Sequence, residues 1–242
     1  MFGKEIFVTW MFGYYGFYMD PTYFLVLIGA LLCLWANFRV TSTFRKFDRI
    51  RSGSNMTGAE AAQALLNSQG IYDVQIEHIR GNLTDHYDPR HKVLRLSDDT
   101  YGSSSVAAIG VAAHECGHAM QHKEGYAPLQ IRSAIVPLAN FGCRFGIPII
   151  LLGLFFGQFL IEVGIWVFAL SVLFQLITLP VEFNASNRAV KLLAEQGILR
   201  GEENGQCKKV LSAAALTYVA AAAAAVLQLL RLILIFGNRR ND

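Results

Sequence analysis

Charged side chains are scarce in this chain. Asp, Glu, Lys and Arg make up 16 % of its 242 residues, where a soluble domain carries about 25 %. Cysteine is equally thin: Cys33, Cys116, Cys143 and Cys207 lie far apart and form no C-x-x-C pair. That pattern argues against a disulfide framework and against a cysteine zinc cluster, and it suits a reducing compartment. Nor is there a large excess of one sign of charge. A net charge of +3 and a pI of about 8.7 are too mild for a nucleic-acid partner, and none is expected. Apolar residues fill the space instead, at 53 % with a mean hydropathy of +0.36, the composition of a membrane protein.

The apolar residues come in runs. Residues 1–20 are rich in aromatics (Trp10, Phe12, Tyr14, Tyr15, Phe17, Tyr18), which suit a membrane–water interface. Tyr23 to Phe38 then carries no charge, and with its flanks from Pro21 to Val40 it is long enough to span a bilayer. Arg39, Arg45, Lys46, Arg49 and Arg51 follow at once. That cluster is a stop-transfer pattern rather than a signal-peptide cleavage site, and the positive-inside rule puts this end in the cytoplasm. Ser133 to Leu179 is too long for one span. It divides near Gly157-Gln158 into two, Ala139 to Phe156 and Leu160 to Leu179, with the second expected to end at Pro180. Residues 200–209 read as a polar linker, and Leu211 to Phe236 is a last apolar helix rich in alanine. The tail Arg239-Arg240 fits poorly with an outside C-terminus, so the orientation of this last helix stays open.

Between the first span and the hairpin lies the main polar region. Thr57-Gly-Ala-Glu60 is a capping-box signature ahead of a helix that stops at Gly70. Asp73 to Ile79 and Lys92 to Leu96 read as short strands joined through the turn-rich Thr84 to Arg90. Ser103-Ser-Ser105 supplies an N-cap for the next helix. The expected organisation is an interfacial segment and first span (1–40), a small α+β domain (41–132), a transmembrane hairpin (133–180), a helix with linker (181–210) and a C-terminal apolar helix (211–242). The fold class is thus a mainly α membrane protein of about four transmembrane helices plus a small α+β, zincin-like domain.

The chemistry sits in Val111-Ala-Ala-His-Glu-Cys-Gly-His-Ala-Met-Gln-His122. His114 and His118 are four apart, so on a helix they share a face about 6 Å apart and can hold one metal ion. Glu115 lies beside the metal rather than on it, where it can accept a proton from water. A catalytic zinc takes a third protein ligand and leaves one position open. His122, Glu182 and a histidine of the strand region are the candidates. His122 would lie one turn further along the same straight helix, which favours a supporting role. Glu182 follows two spans, and two crossings return the chain to its starting side. Cys116 reads as a small helix residue.

His114 to His122, Gly125-Tyr-Ala-Pro-Leu129 and Leu179-Pro-Val-Glu-Phe-Asn-Ala-Ser186 together resemble the neutral zinc metallopeptidases of the bacterial YugP-like family. Leu83-Thr-Asp-His-Tyr-Asp-Pro89 and Ala213-Ala-Ala-Leu-Thr-Tyr-Val219 extend the likeness over nearly the whole chain. The pattern is also similar to the wider membrane gluzincins, the HtpX-like and prenyl-protein peptidases. The resemblance implies Zn2+ as cofactor, His114, His118 and Glu182 as its ligands, and Glu115 as general base. It implies a multi-pass protein of the bacterial plasma membrane with its site on the cytoplasmic side. The partners would be the bilayer and peptide or protein substrates, membrane proteins among them. Two positions depart from the pattern: Ser186 stands where the prenyl-protein peptidases and their relatives carry Asp, and Asn184 where YugP-like sequences do. Candidates for stabilising an oxyanion or supporting the ligands are His122, His86, Tyr87, Ser186 and Arg188. An extended peptide is expected to add to a sheet edge at Val93 to Leu96. The alternative reading is a non-catalytic zinc-binding membrane protein, a sensor or scaffold, although such a site has no use for Glu115.

Overall fold

The computed structural model describes residues 20–237. The aromatic segment before Asp20 and the Arg239-Arg240 tail lie outside the described residues. The elements run α1 (Tyr23–Asp48), α2 (Gly58–Ser68), β1 (Gln75–His78), β2 (His86–Asp88), β3 (Val93–Leu96), α3 (Asp98–Tyr101), α4 (Val106–Lys123), α5 (Ala127–Phe156), α6 (Gln158–Glu195) and α7 (Glu202–Phe236). The protein is mainly helical, with one three-stranded sheet. Four helices, α1, α5, α6 and α7, are long and apolar enough to cross a membrane. Their outward faces carry side chains that water would not tolerate in such numbers. Phe155 is 85 % exposed, Phe159 78 % and Trp166 76 %.

The long helices depart from the expected bounds in one direction, toward greater length. α1 runs on to Asp48 because its last turns bury Phe44 and Phe47 against Ala107 and Val210, so packing extends a helix that hydropathy alone would stop. α5 begins at Ala127, with Pro128 in its first turn, where a missing N–H costs nothing. The hairpin turns at Gly157, whose φ of 115° and ψ of 168° suit a residue without a Cβ.

Pro180 does not end α6, as expected, but lies inside it. Its ring removes one i→i−4 bond, a break that neighbouring helices can compensate in an apolar bundle. Here Val181, Glu182 and Ala185 are buried directly after it, and that packing holds the helix together. The stretch read as a polar linker, 200–209, is likewise mostly helix. The true connection is the short turn between Glu195 and Glu202, with Gly197 and Gly201 at positive φ. Glu202 and Glu203 then fill the first turn of α7, where carboxylates suit the helix dipole.

The capping box of α2 forms in full: Thr57 Oγ1 accepts from the Glu60 N–H at 3.2 Å, and Glu60 Oε2 accepts from the Thr57 N–H at 2.8 Å. The sheet corrects another expectation. Its order is β1-β3-β2, with β1 parallel and β2 antiparallel to β3, so Val93–Leu96 is the central strand and not an edge. The reason lies in Thr84–Arg90, whose Asp and Pro signals hide the short strand β2. A left-handed Lys92 (φ 54°) helps turn it back onto β3. One core fills the space between sheet, α2 and the long helices, with α4 at its centre: Leu65, Leu94, Ile109, Leu193 and Leu199 are all buried there.

Candidate metal centre

α4 carries the H-E-x-x-H residues, and its start is fixed by Ser105. The Ser105 hydroxyl accepts from the Ala108 N–H at 3.0 Å and donates to Asp48 Oδ1 at 2.7 Å, tying α4 to the end of α1. The helix stops at Lys123, followed by Gly125 in the left-handed region (φ 66°). Within it the rings of His114 and His118 stand 4.8 Å apart and nearly perpendicular.

α6 brings Glu182 to the same point. Its Oε2 lies 3.2 Å from His114 Nε2 and 3.6 Å from His118 Nε2, and the three ligand atoms are all within 4.8 Å of one another. The approach depends on Gly117. A Cβ there would sit 2.6 Å from the Ala185 carbonyl oxygen, so only glycine lets α4 and α6 come this close. Glu182 is 2 % exposed and packed between two imidazoles. Burying a carboxylate in this way is costly unless it is paired, and two histidines plus one glutamate form the donor set that a catalytic zinc takes. The residues fit the ion.

Support for the ligands comes from behind. His118 Nδ1 lies 3.0 Å from Gln121 Oε1, while Gln121 Nε2 donates to the Val181 carbonyl at 2.8 Å and to Asn184 Oδ1 at 2.9 Å. Arg188 Nε also donates to Asn184 Oδ1, at 2.7 Å, and its Nη1 pairs with Glu124 at 2.6 Å. With its amide nitrogen committed to two acceptors, Gln121 can only accept from His118. A proton therefore sits on Nδ1, and Nε2 is the ring atom turned toward Glu182 and available to a metal. Ser186 Oγ is 3.1 Å from His114 Nδ1 and can do the same for that ring. Arg132 Nη1 approaches the other Glu182 oxygen at 3.5 Å. Burial alone would pull the His118 pKa down, but the Glu182 carboxylate, the Glu115 charge and Gln121 outweigh it and raise it. Burial pushes the Cys116 thiol up, which keeps it a neutral packing residue.

Glu115 is also buried, at 8 % exposure, and it lines a cleft of about 360 Å³ together with His114. Asn37 and Phe44 of α1, Asp85 ahead of β2, Val111, and Tyr218 of α7 complete much of the wall. The remaining sequence candidates lie elsewhere. His122 is exposed, with its Nδ1 2.8 Å from the Tyr87 hydroxyl. Burial, with Asp73 and Asp88 adding to it, pushes Tyr87 up to about 12, so at neutral pH the phenol keeps its proton. His86 Nδ1 faces the Thr84 carbonyl at 3.0 Å. Gln121, Arg132 and Tyr218 escaped the sequence reading. Gln121 had a signal, since it lies three residues past His118 on the same helix. Arg132 had none, and Tyr218 only its place in the Ala213–Val219 segment that carries the resemblance; the packing of α5 and α7 is what brings them near.

Comparison with known proteins agrees with this picture. Residues 22–237 match the family described as "Putative neutral zinc metallopeptidase". The chain is 47 % identical over 220 residues to the protein named "Putative membrane protease YugP" of Bacillus subtilis (strain 168), covering 90 % of this chain and 98 % of that one. No solved structure matches.

Proposed function

The chain belongs to this neutral zinc metallopeptidase family, with Zn2+ as its cofactor, and from that premise we propose an endopeptidase of the gluzincin type working at the cytoplasmic face of the membrane. The convergence of His114, His118 and Glu182 beside a cleft lined by Glu115 carries the reading. His114 and His118 would bind through Nε2 and Glu182 through Oε2. When bound, zinc makes water nucleophilic near neutral pH and polarises the scissile carbonyl. Glu115 takes the proton of the attacking water on its carboxylate and passes it to the leaving amine nitrogen. Tyr218, on the cleft wall with Glu115, supports a role as donor to the developing oxyanion.

The substrate is a peptide or protein chain, membrane proteins included. Leu83 and Asp85 line the cleft just ahead of β2, and β2 pairs on one side only, with β3. An extended peptide therefore has a backbone edge beside the site to add to, on β2. Residues 41–132 then act as the zincin-like unit. The cytoplasmic placement rests on the basic residues from Arg39 to Arg51, which gather at the end of α1 that meets α4.

The test is casein or peptide-library cleavage by the purified full-length protein with zinc. Glu115→Gln abolishes cleavage while zinc stays bound. Full activity in that variant would refute the mechanism.

A further inference from the structure

A second concave site lies away from the metal centre, between the C-terminal end of α1 and the N-terminal end of α7. The two helices run antiparallel: the Arg231 guanidinium stacks over the Tyr23 ring at 4.2 Å at one end, and Phe47 packs in one cluster with Val210 at the other. At that second end they flank an open groove of about 600 Å³. Arg39 and Lys46 from α1 and Lys208 and Lys209 from α7 line it, with the hydroxyls of Thr43 and Ser212 between them. No carboxylate is among its lining residues. Among the described residues, the lysines and arginines in ion pairs are Lys92, Arg95, Arg132, Arg188 and Lys191, so these four cations have no carboxylate within 4.0 Å. Part of the wall is apolar, formed by Phe47 and Leu216.

Four exposed cations gathered round one groove, with no carboxylate among its lining residues, create a positive potential that draws an anion. The level of the cavity says which kind. Tyr23 to Phe38 is uncharged, and α7 turns apolar from Leu211, so the cations stand where both helices leave the apolar layer. We propose that this cavity binds the phosphate headgroup of an anionic phospholipid, with the glycerol end of the lipid against Leu216, on the side where α7 turns apolar. Basic pockets between membrane helices take such headgroups, and each basic residue near an anionic surface contributes about fivefold in affinity. The proposal rests on the membrane placement of α1 and α7 and is independent of the peptidase reading.

The experiment uses full-length protein in phosphatidylcholine nanodiscs doped with phosphatidylglycerol. Retained lipid is counted by native mass spectrometry, and the thermal midpoint is followed alongside. Phosphatidylglycerol is expected to be retained and to raise the midpoint. Lys208→Gln should weaken retention about fivefold, and the Arg39→Gln/Lys46→Gln/Lys208→Gln/Lys209→Gln variant should abolish it. The fold of that variant is checked by its midpoint in pure phosphatidylcholine; should it not fold, the single variant carries the test. Arg45→Gln/Arg49→Gln removes two charges at the same level outside the cavity and should leave retention intact. An equal loss in that control pair would show unspecific surface attraction and overturn the site. Absence of retention in the intact protein would overturn it as well. Stabilisation by inorganic phosphate in pure phosphatidylcholine, matching that of the lipid, would assign the cavity to a soluble anion and overturn the lipid assignment.

Discussion

At the scale of single residues, the proposed centre leans on side chains that would not touch the metal. Gln121 is the clearest case, because its two donor bonds leave it only one way to face His118. Gln121→Leu removes the acceptor that holds the His118 proton on Nδ1, and loss of such a partner costs about 10–100-fold in metal affinity. Equilibrium zinc titration of the variant checks this, and unchanged affinity would mean that the orientation of His118 is set elsewhere. Tyr218→Phe separates chemistry from binding. Loss of an oxyanion donor lowers kcat by about 10²–10³-fold at saturating zinc, where any change in zinc affinity from the neighbouring Glu182 no longer limits the rate. At this scale the sequence was legible wherever spacing along one helix decides geometry, as for His114, Glu115 and His118. Arg132 and Tyr218 could not be read, since each stands on a helix remote in sequence from the motif.

At the scale of elements, the decisive contact is the approach of α4 to α6 at Gly117. Gly117→Ala drives a Cβ against the Ala185 carbonyl oxygen, and overpacking of this kind costs about 1–3 kcal/mol. We expect a lowered thermal midpoint and weakened zinc binding together, because the helices that separate are the ones that carry the ligands. Gly205→Ala is the contrasting substitution: the glycine lies inside α7 with nothing within 4 Å of a new Cβ, and helix propensity predicts a gain of about 0.5–1 kcal/mol. Element boundaries were legible where local chemistry sets them, as in the Thr57 capping box and the Gly157 turn. They were misread where tertiary packing overrides local signals. Pro180 reads as a stop, yet α6 runs through it because the residues just beyond are buried. Thr84 to Arg90 reads as a turn, yet three of its residues pair with β3 and displace the expected edge to β2.

At the scale of the whole molecule, the proposed ligands stand on either side of an apolar helical hairpin in sequence, with α5 and most of α6 between them. Zinc held by these residues would clamp α4 to α6 and stabilise the folded chain through mass action, by about 2.7 kcal/mol when free zinc exceeds its Kd a hundredfold. Chelation should lower the thermal midpoint of the intact protein and leave that of a His114→Ala variant unmoved. A fragment ending at Ala127 keeps the motif helix but lacks Glu182, and it should not hold zinc tightly. Because α6 is one continuous helix past Pro180, the position of Glu182 is tied rigidly to the span beneath it. That coupling was only half legible: counting two apolar runs returns the chain to the motif helix, beside which the structure has Glu182, whereas the unbroken helix that carries it there came from packing.

The most direct measurement of the central claim, a zinc centre closed across the hairpin by Glu182, is the zinc affinity of Glu182→Ala set beside that of Glu115→Gln in full-length protein. The account predicts near-intact affinity for Glu115→Gln. For Glu182→Ala it predicts a loss larger than the roughly 10–100-fold that removal of a supporting partner costs. Intact affinity in Glu182→Ala would contradict it.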